Sequence, residues 1–275
     1  MKQSIRIETA ETGRVSMEYF RFGEGQEVFV ILPGLSLKSV TKSADAVAAA
    51  YQDMAEQYTI YVFDPRKDLP ETYSINEMAE DTAEVLETLG LKEVNLFGAS
   101  MGGMAAMKLA IGHPELVKKL VLGSTTARIT EKQYQGIAEW IRLAEEKRTE
   151  ELCLTIGKAL YPKALFEALR DLFIDMAKTV TNEELSRFIV LAKGIQGHNV
   201  LDELPGISCP VLVIGDRDDR VLGAEASEEI ASRLLGSPDC ELFLYEGCGH
   251  AAYDVAPDYR ERIMRFLDPR TGGSV

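Results

Sequence analysis

The stretch Val94-Asn95-Leu96-Phe97-Gly98-Ala99-Ser100-Met101-Gly102-Gly103 passes from an apolar strand pattern straight into a glycine-rich turn, and a helix pattern follows over Met101 to Ile111. A strand that turns directly into a helix holds its middle residue in a strained conformation, with the side chain projecting out of the sheet. Residues two places to either side then collide unless they lack a Cβ, and Gly98 and Gly102 meet that need. The amides that open the helix point back towards Ser100, where they can stabilise an oxyanion. A turn with an ordinary N-capping serine is the plain alternative. The strand before and the helix after favour a nucleophile.

Working outward, strands and helices alternate at short spacing. Upstream, SIRIET (Ser4 to Thr9) and RVSMEYF (Arg14 to Phe20) alternate polar and apolar residues around a turn at Gly13, which predicts a meander. EVFVIL (Glu27 to Leu32) suits a strand covered on both faces, and Pro33-Gly34 ends it. An alanine-rich helix over Lys42 to Gln57 and the strand YTIYVFD follow, broken at Asp64-Pro65-Arg66. Ser74-x-x-Glu77 is a capping box opening a helix to Leu89, closed by Gly90. Downstream, Leu116 to Ser124 reads as a strand. The pattern predicts a parallel sheet with helices on both faces.

From Arg128 to about Gly197 the periodicity is helical throughout. Ile137, Trp140, Ile141 and Ala144 share one face, as do Leu165, Leu169, Leu172, Phe173 and Met176. Leu185, Phe188, Ile189 and Ala192 repeat the pattern behind a capping box at Thr181-x-x-Glu184. This is an insertion of about 70 residues into one sheet, too long for a crossover. The expected division is a core of residues 1–127 and 198–275 with a helical cap, or lid, over 128–197. After Pro205 the alternation resumes with PVLVIGD, a helix over Ala224 to Leu235, the strand CELFLYE, and a helix over Pro257 to Leu267.

A serine hydroxyl needs a base to attack a carbonyl, and the chain offers three histidines. His113 ends the helix that starts at the serine, roughly 15 Å away, which excludes it. His198, in Gly197-His198-Asn199, reads as a surface loop residue where the insertion returns. His250 follows a strand in Glu246-Gly247-Cys248-Gly249-His250, where open α/β sheets place active groups. It is the base. The loop Gly215-Asp216-Arg217-Asp218-Asp219-Arg220-Val221-Leu222 offers the acid that would orient it. Asp219 is the choice and Asp218 the reserve, since spacing alone does not settle it; at least two of the three aspartates are expected in a solvated turn.

These motifs resemble the α/β-hydrolase fold family over essentially the full length. The resemblance rests on Gly98-Ala99-Ser100-Met101-Gly102-Gly103, the Leu32-Pro33-Gly34-Leu35 loop, Asp64-Pro65-Arg66, Asp218-Asp219-Arg220-Val221 and Gly249-His250. It implies a mostly parallel eight-stranded sheet flanked by helices, with a helical cap after the sixth strand. It also implies the order Ser100, Asp219, His250, and Asp219 because the family acid stands just before a short apolar stretch. By the same resemblance, the backbone amides of Leu35 and Met101 form the oxyanion hole. Many members carry His-Gly where Pro33-Gly34 stands; the donor is an amide, so the histidine is not chemically required.

Composition narrows the function classes. The chain has 275 residues, with 30 Lys+Arg against 44 Asp+Glu for a formal charge of −14. Hydrophobic residues make up 46%, which excludes disorder, and the acidity argues against nucleic acid. No apolar run of about 18 residues occurs, so no membrane span is expected. The first twenty residues lack the apolar core of a signal peptide. Cys153, Cys209, Cys240 and Cys248 form no CxxC pair and read as reduced thiols of a cytoplasmic protein, Cys248 as packing rather than a nucleophile. The expected activity is a serine hydrolase acting on a small to medium, largely apolar ester, without metal or organic cofactor, as monomer or homodimer. Acyl transfer and retro-Claisen cleavage of diketones fit the same constellation, and a non-catalytic ligand-binding receptor is the alternative of another class.

Overall fold

The computed structural model describes residues 5–234 and 239–268. The expected strand start at Ser4 and helix end at Leu235 lie outside the described residues. The strands are β1 (Ile7–Glu11), β2 (Ser16–Phe22), β3 (Glu27–Leu32), β4 (Tyr58–Phe63), β5 (Val94–Ala99), β6 (Val117–Gly123), β7 (Val211–Asp216) and β8 (Cys240–Tyr245). They form one sheet in the order β1-β2-β4-β3-β5-β6-β7-β8. β2 runs antiparallel to β1 and β4, and the other pairs are parallel.

The central strands are apolar because both faces are covered. Every residue of β5 and β7 is buried. Alternate residues feed two cores: Val94 and Leu96 join one face, Phe97 and Ala99 the other. The helices α2 (Ile75–Thr88), α3 (Met101–Gly112) and α8 (Ala224–Leu234) pack on the first face. α1 (Ala44–Ala50) and α10 (Tyr259–Leu267) pack on the second.

Four helices, α4 (Glu131–Glu145), α5 (Thr149–Leu160), α6 (Lys163–Ala177) and α7 (Asn182–Gly194), stand between β6 and β7. The two crossing segments are stitched together at their base by an antiparallel bridge between Arg128 and Asn199. The expected capping boxes at Ser74 and Thr181 are both formed. A third, at Thr130 with Gln133, opens α4 and was not read from the sequence. The short helix α9 (Ala252–Val255) follows β8. Among the described residues, no helix is long and apolar enough to cross a membrane.

Two expectations are corrected. The helix over Lys42 to Gln57 is a 3-10 turn, the seven residues of α1 and a second 3-10 turn. The Ala55 carbonyl accepts the Glu24 amide at 3.0 Å, and Gly23 and Gly25 crowd Ala55 and Gln57, so the chain is pulled into β4 before a long helix can form. In α6, Leu172 is 64% exposed rather than on the packed face. The expected Leu165, Leu169, Phe173 and Met176 are partly buried, and Phe166 joins Phe173 against Gly157 of α5, where a Cβ would stand 2.8 Å from the Phe173 ring.

Candidate active site

Ser100 sits between β5 and α3 with φ 51 and ψ −119, a region that side chains rarely adopt. Its main chain is held from three directions. The Ser100 amide donates to the Gly123 carbonyl at 2.9 Å; the Ser100 carbonyl accepts from Gly103 N at 2.9 Å and from Thr125 Oγ1 at 2.7 Å. The flanking glycines make this turn possible: a Cβ on Gly98 would stand 2.5 Å from the Gly102 carbonyl oxygen, and one on Gly102 would stand 2.1 Å from that of Leu32. Thr125, which clamps the turn from the end of β6, carries no motif that would reveal it in sequence.

His250 lies in the loop between β8 and α9, 2% exposed. Its Nε2 stands 3.0 Å from Ser100 Oγ and its Nδ1 2.9 Å from Asp219 Oδ2. An ionised carboxylate can only accept, so Nδ1 carries the proton and Nε2 is left to accept from the serine hydroxyl. The other carboxylate oxygen of Asp219 accepts the amides of Val221 at 2.8 Å and Leu222 at 3.0 Å. Burial pushes the Asp219 carboxyl up, but its electrostatic interaction and hydrogen bond with His250, with the two amides, outweigh it and hold the group below its ordinary value.

The aspartate loop is not a solvated turn around Asp219. Asp216 is fully buried, accepting Asp218 N at 2.7 Å and Cys248 N at 2.8 Å. Asp218 is exposed, yet accepts Gly247 N at 2.8 Å. The two lash the loop after β7 to the loop that carries His250, which a string of acids in sequence does not disclose. The α5 terminus supports that loop from above, its Leu160 carbonyl accepting the Ala251 amide at 3.1 Å.

The loop after β3 lies against Ser100: a Cβ on Gly34 would stand 3.2 Å from Ser100 Cβ. Leu35 and Ser100 line one narrow pocket of about 40 Å³, roofed by Ile137 and Trp140 of α4 and Phe188 of α7, with Val221 and His250 at its side. The residues lining it include no lysine or arginine. Met101 opens α3 beside the serine.

The family model for the alpha/beta hydrolase fold matches residues 27–257. The chain belongs to the alpha/beta hydrolase fold family. It is 31% identical over 200 residues to a 2-hydroxy-6-oxononadienedioate/2-hydroxy-6-oxononatrienedioate hydrolase of a Pseudomonas species, covering 69% of this chain and 68% of that one. It is 27% identical to the serine hydrolase BPHL of Mus musculus over 92% of this chain and 83% of that one. Among solved structures, MGS-M2, an alpha/beta hydrolase enzyme from a deep-sea metagenome library of the Medee basin, superposes with a TM-score of 0.84 at 22% identity, with 98% of both chains covered.

In this alpha/beta hydrolase the inserted helices are tied to the sheet by side chains the sequence did not mark. Arg187 of α7 donates to Asp64, at the end of β4, at 2.8 Å, and Lys42 pairs with Glu184 at 2.6 Å. On the far side Arg128 pairs with Glu229 at 2.7 Å. Burial pushes the Asp64 carboxyl above its ordinary value in spite of Arg187.

His198 is not a surface residue: it is 7% exposed. The bridge between Arg128 and Asn199 draws it inward, with Ile129 N donating to its carbonyl at 2.9 Å. Burial lowers its pKa to about 4, against a hydrogen bond to the Thr126 backbone that raises it. The unfolded chain therefore takes up a proton here near the ordinary value of 6.5, and the folded chain does not until about 4. Stability from this group is complete above the higher value and is lost as pH falls through the window, by on the order of 3 kcal/mol. Urea midpoints compared at neutral pH and at the lower end of that window are expected to show a smaller acid loss in His198→Gln than in the parent; equal losses would contradict the assignment.

Proposed function

We propose that the protein is a serine hydrolase that acts through an acyl-enzyme on small to medium, largely apolar carboxylic esters. The observation that carries the reading is the unbroken chain from Ser100 Oγ through both nitrogens of His250 to a buried, ionised Asp219. Ser100 Oγ attacks the ester carbonyl carbon while His250 Nε2 takes its proton. The C–O bond to the alcohol then breaks and His250 returns the proton to the departing oxygen. Water, deprotonated by His250 Nε2, attacks the acyl-enzyme carbonyl; the bond to Ser100 Oγ breaks, Oγ takes the proton back from His250, and the acid leaves. Asp219 holds the imidazole in the tautomer this needs and stabilises the imidazolium. The amides of Leu35 and Met101 receive the oxyanion, each contributing about 3 kcal/mol. Helices α4 to α7, residues 128–197, serve as the lid that excludes water, and no metal or organic cofactor takes part.

The likeness to a 2-hydroxy-6-oxononadienedioate hydrolase favours a second reading, retro-Claisen cleavage of a vinylogous diketone by the same residues. The pocket argues for the ester. A dicarboxylate calls for cations on both arms, whereas the pocket around Ser100 is lined by no lysine or arginine, Arg187 is spent on Asp64, and Lys38, beyond Leu35, donates to the Thr179 hydroxyl.

A fluorophosphonate probe followed by peptide mapping tests the reading. Labelling is expected at Ser100, lost in Ser100→Ala and in His250→Ala. An unlabelled parent protein would favour a binding protein that keeps the fold without turnover.

A further inference from the structure

A second space opens behind the loop that follows β3, on the opposite side of Leu35 from the roofed pocket. Its volume is about 450 Å³, and it lies between residues 34–40, α1, and the α5–α6 pair. The wall is largely apolar, with Val47 from α1 and Tyr51 just after it, Phe97 from the sheet, and Phe173 and Met176 from α6. Its two charged side chains are engaged: Lys38 donates to Thr179 Oγ1 at 2.6 Å, and Asp254 accepts from the Tyr161 hydroxyl at 3.0 Å. Gly34, Leu35, Ile156, Leu160 and Tyr253 line both spaces, so the two share a wall at the loop after β3, next to Ser100.

A carbonyl bound at Ser100 with its oxygen towards the Leu35 and Met101 amides must send its two substituents in different directions. The leaving oxygen has to face His250 Nε2 to receive a proton. His250, Val221 and Leu222 line the roofed pocket and not the second space. The alcohol arm therefore belongs under α4 and α7, and the acyl arm is left to run past Leu35. We propose that the space between the loop of residues 34–40, α1 and α5–α6 is an acyl chamber, and that the substrates are esters of extended apolar acids rather than of acetate-sized ones. This assignment rests on the serine-hydrolase reading and specifies its substrate class.

Alkylsulfonyl fluorides test it. Their single alkyl arm stands in for the acyl group, fluoride for the leaving group, and the product is a sulfonylated Ser100. Each methylene buried in the chamber favours the reaction, so the octyl compound is expected to inactivate the protein about tenfold or more faster than the methyl compound. Val47→Trp on α1 and Met176→Trp on α6, two independent fillings of the chamber, are each expected to remove most of that ratio. An unchanged ratio in both, with Ser100 still sulfonylated, would overturn the chamber. So would a ratio lost in Ile137→Trp and kept in both chamber variants, which would place the arm in the roofed pocket. A wild-type Ser100 inert to both compounds would overturn the hydrolase reading itself, and the acyl assignment with it.

Discussion

Ser100→Gly is expected to lose about six orders of magnitude in kcat on a p-nitrophenyl ester and yet to melt at a higher temperature than the parent. On the proposed mechanism the loss follows from removing the atom that forms the acyl-enzyme. The gain follows from the backbone. At φ 51 and ψ −119 the serine occupies a region left almost entirely to glycine, at a cost of about 1–3 kcal/mol. Glycine adopts the same angles freely, although its more mobile unfolded chain takes back about 0.4–1 kcal/mol. The vacated space beside His250 opens onto the pocket, so water can take over the hydroxyl's hydrogen bond. The net is about 1 kcal/mol, or roughly 2–4 °C in Tm for a chain of this size. Calorimetry checks the sign. A lower Tm would mean that Gly123, Gly103 and Thr125 hold the turn without strain.

The parts of the molecule legible in sequence are those where one local requirement dictates residue type. A strand covered on both faces must be apolar, which is why β3, β5 and β7 stand out. A turn with no room for side chains must be glycine, which is why Gly98 and Gly102 mark Ser100. Ser74 and Thr181 signal helix starts because a cap and its reciprocal partner stand three apart.

What stayed hidden depends on contacts between segments far apart in the chain. His198 follows Gly197, whose φ of 77 marks a turn, and turns usually lie at the surface. Here the turn is folded under by a bridge to Arg128, 71 residues upstream of Asn199 in the pairing register. Asp216 looks like any acid in a polar loop, yet its partner is the Cys248 amide across the sheet edge. The stripe assigned to α6 holds for Leu165, Leu169, Phe173 and Met176 but wrongly includes Leu172 and omits Phe166, because Gly157 on a neighbouring helix decides where two phenylalanines fit. Arg187 and Asp64 are separated by 123 positions, and no local pattern links them.

Asp219→Asn is expected to lower kcat by about four orders of magnitude while the protein folds normally. The asymmetry of the carboxylate explains why so small a change matters. One oxygen accepts two backbone amides, from Val221 and Leu222, and the other faces His250 Nδ1. An asparagine must keep its carbonyl oxygen on the two amides, since its NH2 cannot accept. The NH2 then points at Nδ1 and donates to it. That moves the imidazole proton to Nε2, the position that must be empty to receive the serine proton. The same substitution at its neighbours acts differently. In Asp216 both oxygens accept backbone amides, so Asp216→Asn leaves one buried donor facing another and costs about 1–3 kcal/mol of stability. Asp218 is exposed and accepts a single amide, so Asp218→Asn can turn its carbonyl to Gly247 and retain most activity. Measuring kcat and urea stability for all three variants separates the roles. A ten-thousandfold loss in Asp218→Asn, with Asp219→Asn near parental activity, would move the acid by one residue.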